Sequence, residues 1–199
     1  MLVSLAGQEQ LLVVTDHRAV GLQVSDGALL WETPWIVKQN NRNNAQPVLL
    51  GTNRFLLSAG YGTGCEAVEI SRTANGFAAT PLWHNLWLKN KFTSSVFWQG
   101  FVYGLDEDVL ECLDAQTGER KWKDGRYGYG QVLVADGYLI VLGGQGELAL
   151  VKASPDRYEE VAHFQALEGK TWNHPAMTDG KILVRNAVQM ACFDLRGGK

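Results

Sequence analysis

Cysteine, proline and net charge are all scarce in this sequence, and each scarcity removes a class of protein. Three cysteines stand among 199 residues. Cys65, Cys112 and Cys192 are widely separated and odd in number, so at least one thiol stays unpaired and no disulfide framework is specified. Cys112 in ECLDA and Cys192 in ACFDL fall at matching places in two similar stretches, too far apart to bridge, and read as small buried apolar side chains. A formal charge of −3 offers no basic footprint, so nucleic acid is not an expected partner. His17, His84, His163 and His174 have no ligand spacing, and no metal site is expected. There is no G-x-S-x-G elbow and no recognisable acid and base pair; DEDVLE, from Asp106 to Glu111, reads as a solvated hairpin turn. The opening MLVSLAGQEQLLVV has neither the basic leader nor the apolar core of a signal peptide, and no apolar run approaches a membrane span.

What the chain does have is glycine and tryptophan. The 22 glycines against 5 prolines, with 7 tryptophans, point to tight turns between aromatic strands rather than to helices. Aligning Gly100, Gly137 and Gly180 brings SSVFWQGFVYGL, GQVLVADGYLIVL and HPAMTDGKILVR into register, each a strand, a glycine turn and a second strand. QPVLLGTNRFLLS fits with a longer turn, and LVSLAGQEQLLVV with a shorter lead. A third strand follows each time (HRAVGLQV, GCEAVEI, VLECLDA, GELALVKA, QMACFDL). A fourth segment then carries Trp31, Trp83, Trp122 or, in the fourth copy, Phe164. A period of about 40 residues is that of a β-propeller blade.

The expected fold is therefore all-β: four-stranded antiparallel blades in a partial ring, one segment over 1–199. The blade units run approximately 1–40, 41–87, 88–126, 127–170 and 171–199, the last incomplete. Trp31, Trp83 and Trp122 are expected to wedge the gaps between neighbouring blades.

The segments before each first strand are polar and aromatic: NNAQ, KNKFT, RYGYG and TWNH. With the first strand innermost, they converge on one mouth of the central channel. Asn44, Gln46, Lys91, Arg126, Tyr127, Tyr129, Trp172, Asn173 and His174 are the candidate contacts, of types favoured in recognition. The hairpins GYGTG (Gly60, Tyr61, Gly62, Gly64) and GGQG (Gly144, Gly146) open on the same face. GYGTG is not a phosphate loop, because the alternating strand CEAVEI follows it where a helix is required.

The phrase A-x-T-G-E-x-x-W, with SAGYGTGCEAVEI, LKNKFTSSVFWQGFVYGLDEDVLECLD and GKTWNHPAMTDGKILVRN, resembles the PQQ-like β-propeller repeat proteins. Within them it looks like the BamB group of outer-membrane assembly lipoproteins. The resemblance spans essentially the whole chain and is specific for the repeat. It implies a non-enzymatic binding or scaffold propeller with a protein partner and no cofactor, in the periplasm or cell envelope. It also implies closed rings of eight blades, of which this chain holds about half. The alternative is a PQQ-dependent quinoprotein oxidoreductase, whose family members hold the quinone and calcium on the axis beside adjacent cysteines; no two cysteines here are adjacent.

Open blade faces at either end lead to an expectation of self-association, most simply as a twofold pair. Light scattering coupled to size exclusion checks it: a dimer mass is expected, and a stable monomer at high concentration contradicts it.

Overall fold

The computed structural model describes residues 1–38 and 43–196, and all regular structure among them is β-strand. The first sheet is β1 (Leu2–Leu5), β2 (Gln8–Val14), β3 (Arg18–Gln23) and β4 (Leu29–Pro34). The second is β5 (Val48–Leu49), β6 (Arg54–Ala59), β7 (Gly64–Thr73) and β8 (Gly76–Asn85); the third is β9 (Val96–Trp98), β10 (Phe101–Asp106), β11 (Val109–Asp114) and β12 (Arg120–Arg126). The fourth is β13 (Gln131–Ala135), β14 (Tyr138–Leu142), β15 (Glu147–Lys152) and β16 (Glu160–Gln165), and the fifth is β17 (Ala176–Thr178), β18 (Lys181–Arg185) and β19 (Met190–Asp194). Each sheet is an antiparallel meander in sequence order, four-stranded except for the three-stranded fifth, and no sheet closes into a barrel. This is a partial propeller. The unit boundary expected at 40/41 lies outside the described residues.

Local chemistry sets the first hairpin of four sheets. Ala6–Gly7, Gln99–Gly100, Asp136–Gly137 and Asp179–Gly180 all have positive φ at both positions. A two-residue turn of that kind matches the twist of its strands and calls for glycine at the second place. The same glycines put the repeats in register.

Burial follows from stacking. β6 and β10 lie in the middle of the arc and are buried on both faces after their first residue, whereas β1 and β18, in the terminal sheets, alternate exposed and buried. Four apolar clusters form, one in each gap. Leu5, Leu12, Trp31 and Phe55 belong to the first gap; Leu56, Ala67, Val102 and Leu113 to the second. Tyr103, Cys112, Val132 and Ala149 fill the third, and Ile140, Leu148, Ile182 and Val184 the fourth. The innermost strands border a groove of about 510 Å³ lined by Met1, Val48, Val96, Val132 and His174 among others.

Cys65 and Cys112 are buried, but Cys192 is exposed. It pairs across from Leu183, itself exposed, on the outward side of the fifth sheet. Its expected burial fails because no sixth sheet covers that side among the described residues.

The repeated tryptophans occupy the gaps. Trp31 stacks on Phe55 of the second sheet, ring centroids 5.6 Å apart. Trp83 donates its indole N–H to Ala115 O in the third sheet at 3.3 Å, and Trp122 donates to Ser154 O in the fourth at 2.8 Å. Gly118 of the TGE turn leaves room for this: a Cβ there would lie 2.6 Å from the Trp83 ring.

The fourth sheet departs from the expected pattern. In the first three sheets the tryptophan pairs with Gly21, Ala67 or Cys112, and a β-bulge follows that partner at once. In the fourth the bulge follows Leu150, whose partner is Ala162; Phe164 pairs two residues away with Leu148. Ala162, not Phe164, holds the tryptophan position.

Replacing Trp122 by Ala removes a half-buried indole and its inter-sheet hydrogen bond. The expected cost is about 3 kcal/mol, read as a shifted midpoint in chemical denaturation.

Candidate functional site

The mouth is assembled by incoming segments crossing glycine hairpins, those of the preceding sheet at Gly60 and Gly144 and, for the segment through Tyr127 and Tyr129, that of the same sheet at Gly144. A Cβ on Gly60 would lie 2.5 Å from Lys91 Cγ, and one on Gly144 would lie 3.0 Å from the Tyr129 backbone N. Glycine gives these segments their path. The backbone seals the crossing, with Gly144 N donating to Tyr127 O at 2.7 Å and Thr171 N to Gly144 O at 3.0 Å. Gly62, Gly64 and Gly146 have positive φ. Cβ atoms on the last two would strike Asn85 O and Leu167 O.

On this frame Lys91, Tyr129 and Trp172 come together with Phe92, Tyr61 and Lys170. Phe92 stacks on Trp172, centroids 4.9 Å apart, and meets Tyr129 edge-on at 5.5 Å. Lys91 Nζ lies 5.2 Å from both the Tyr61 and the Tyr129 ring centroids and donates to the Tyr129 hydroxyl at 3.4 Å. Burial opposes its charge, but the Tyr129 hydroxyl and Glu107, 3.5 Å away, outweigh that and raise its pKa. Lys170 Nζ sits 3.4 Å from the Trp172 ring centroid. Trp172 remains 38% exposed and borders a cleft of about 400 Å³ with Tyr129, Gly144, Gln145 and Lys170.

The other candidates divide. Asn44 Nδ2 donates to Lys91 O at 3.1 Å and the Gln46 backbone N to Ser94 Oγ at 3.0 Å, so both brace the next segment. His174 lines the axial groove beside Gln46, and Asn173 is half-buried next to it. Arg126 is exposed and paired with Asp108. Tyr127 is 2% exposed and belongs to the core between the third and fourth sheets. Its hydroxyl meets Tyr158 and Glu160 at 2.7 and 2.5 Å, and burial pushes its pKa up.

Beneath the mouth lies a buried polar belt, and here the solvated-turn expectation for DEDVLE fails at both ends. Asp106 and Glu111 are buried. Asp106 accepts from the Lys89 backbone N at 2.8 Å and Lys89 Nζ at 2.6 Å, and from Lys123 Nζ. Glu111 accepts from Leu88 N at 2.9 Å and from Arg120. Burial works to raise the Asp106 carboxyl, but hydrogen bonds from Lys123 and Lys89 hold it below the ordinary value; for Glu111 burial prevails and raises it. Asn90 completes the belt, donating to Leu105 O at 3.0 Å and accepting from Ser95 Oγ at 2.8 Å. Gln131 Nε2 donates to Phe92 O and Trp172 O, at 3.0 and 3.1 Å, supporting the aromatic stack from below.

Sequence reasoning did not single out Phe92, Lys170, Gln131 or this belt. Phe92 stood within the quoted KNKFT. Lys170 stands two residues from the Trp172 ring it covers, whereas Gln131 and the belt meet partners on other strands or in other segments and so carry no local signal.

Residues 2–124, which take in the first three sheets apart from the last two residues of β12, match the family model described as outer membrane protein assembly factor BamB. The chain belongs to the BamB family. No curated protein matches it. Among solved structures it is similar to the crystal structure of BamB from Moraxella catarrhalis, with a TM-score of 0.67 and 14% identity. The match covers 92% of this chain and 53% of that one, so the chain spans about half the length of that BamB. At that identity the likeness is one of fold.

Among the described residues no group of three His, Cys, Asp or Glu is placed to hold a metal ion. A quinone held with calcium on the axis requires carboxylate ligands. The axial groove of this BamB-family chain offers Gln46, Ser94, Ser95 and His174 as its polar lining and no carboxylate, so these residues do not fit that group. No helix among the described residues is long and apolar enough to cross a membrane.

The polar belt has a pH signature. A carboxyl held low in the fold contributes stability above its unfolded value, here about 3.8, and loses it as pH falls through the folded value. Asp106→Asn is expected to cost about 3 kcal/mol at neutral pH. The difference from the parent should shrink steadily as denaturation is repeated below that range.

Proposed function

We propose that this chain is a non-enzymatic binding propeller that presents its mouth face to a protein partner in the cell envelope. One observation carries the reading: Phe92, Tyr129 and Trp172 form a rigid aromatic platform flanked by Lys91 and Lys170, on a face where Trp172 stays open. Preorganised aromatic and cationic groups of this kind are what protein contacts concentrate on. Family membership supports the location, since the matched family is named for outer membrane protein assembly.

Self-association belongs to the same reading. On the outward side of the first sheet Leu2, Leu11, Leu22 and Leu29 pair across successive strands into one apolar row. Leu183 lies beside Ala176 and Cys192 on the fifth. Such rows favour an apolar neighbour over water.

A photo-crosslinking residue at Gln145, on the cleft rim, tests the function in cells. Adducts with specific envelope proteins are expected, and Trp172→Ala with Lys170→Glu should reduce them at least fivefold. Undiminished adducts in that variant, or saturable binding of PQQ with calcium at micromolar concentration, would overturn the reading.

A further inference from the structure

The gap between the fourth and fifth sheets has the walls of a tryptophan slot without the tryptophan. In the first three gaps a tryptophan stands opposite the residue that precedes the bulge. In this gap Ala162 stands there, and an open apolar cleft of about 440 Å³ takes the place of the ring. Its walls include Ile140, Leu148, Leu150, Ala162, Met177 and Leu195. Ile140 and Leu150 correspond through the pairing register to Tyr103 and Cys112, which flank Trp122 in the preceding gap.

The acceptors are also in place. Ala115, Ala153 and Leu195 each donate their N–H to the glycine of their sheet's first hairpin, Gly100, Gly137 and Gly180. These three positions are equivalent. Trp83 donates to Ala115 O, and Trp122 to Ser154 O, one residue beyond Ala153. The carbonyls of Leu195 and Arg196, at the border of the open cleft, stand where those acceptors stand.

An apolar cavity left by a missing large side chain remains a receptor for a group of the same shape. From the shared register, walls and acceptors we infer that this gap binds the indole side chain of a tryptophan carried by a partner polypeptide. In each of the other three gaps the occupant of this position is a polypeptide-borne indole; here Phe164, edge-on to Phe193 at 5.0 Å, borders the cleft from two residues away and leaves the position itself open. The cleft opens beside β16, whose six residues are all exposed, so an extended chain reaches it without displacing a strand. The inference rests on the reading of the chain as a binding propeller, but it concerns another part of the molecule than the mouth.

Methyl-labelled methionine NMR on the whole chain provides the test. Met177 lines the gap and Met1 the distant axial groove. N-acetyl-tryptophanamide should move the Met177 methyl upfield by ring current, saturating at about 1 mM as befits a small ligand, and leave Met1 unmoved. Ala162→Trp should shift Met177 the same way without ligand and abolish the response. Ala162→Leu, a smaller filling, should weaken the response at least threefold and serves if the larger variant does not fold. An unmoved Met177, an equal response to N-acetyl-leucinamide, or a full response in the filled variant overturns the inference. Free indole binding tenfold tighter than the blocked residue would assign a small molecule and overturn the polypeptide source. Crosslinking at Gln145 is read separately, so either idea can fail alone.

Discussion

A sheet that is apolar on both faces is stable only with a neighbour on each side. That constraint organises the molecule. β6 and β10 show it directly: after the first residue every side chain is buried, on alternating sides of the sheet. Apolar surface removed from water stabilises at roughly 25 cal/mol per Å², and here much of it is removed between sheets. The tryptophans, the glycines beneath them and the polar belt all serve the spacing between sheets.

The same constraint explains the belt. Bringing sheets together forces the connecting segments to pass over strand ends, which leaves backbone N–H groups at Leu88, Lys89 and Asn90 inside the protein. Glu111, Asp106 and Ser58 accept from those three in turn. A buried carboxylate is costly alone and tolerable when several donors surround it. The mouth cluster is built on the far side of this clamp, so Lys91 and Phe92 inherit a fixed backbone.

Legibility in the sequence followed the range of the interactions. The hairpin glycines were readable because positive φ is a local demand, met by Gly100, Gly137 and Gly180 at a regular interval. Lys91, Tyr129 and Trp172 were readable as a group because they stand in the segments that precede the first strands; counted back from Gly100, Gly137 and Gly180, the residues at one shared position are Phe92, Tyr129 and Trp172. Tyr127 sat in the same segment and pointed elsewhere, since its ring completes the core with Tyr103 and Val132. Phe164 marks the fourth segment of its repeat but stands two residues from the tryptophan position, and only the bulge after Leu150, a matter of strand pairing, fixes that count. Asp106 and Glu111 looked like turn residues because Lys123, Arg120 and Leu88, which neutralise or cap them, are distant in the chain or hidden in strands.

Each gap carries its own apolar cluster, and no single cluster runs through the molecule. Order in such a chain propagates from neighbour to neighbour, like a row of coupled switches rather than one. The central sheets are held from two sides and the terminal sheets from one. Amide protons should accordingly be shielded longest in β6 and β10 and released earliest from β18 and β19, a gradient that runs from the middle of the arc outward.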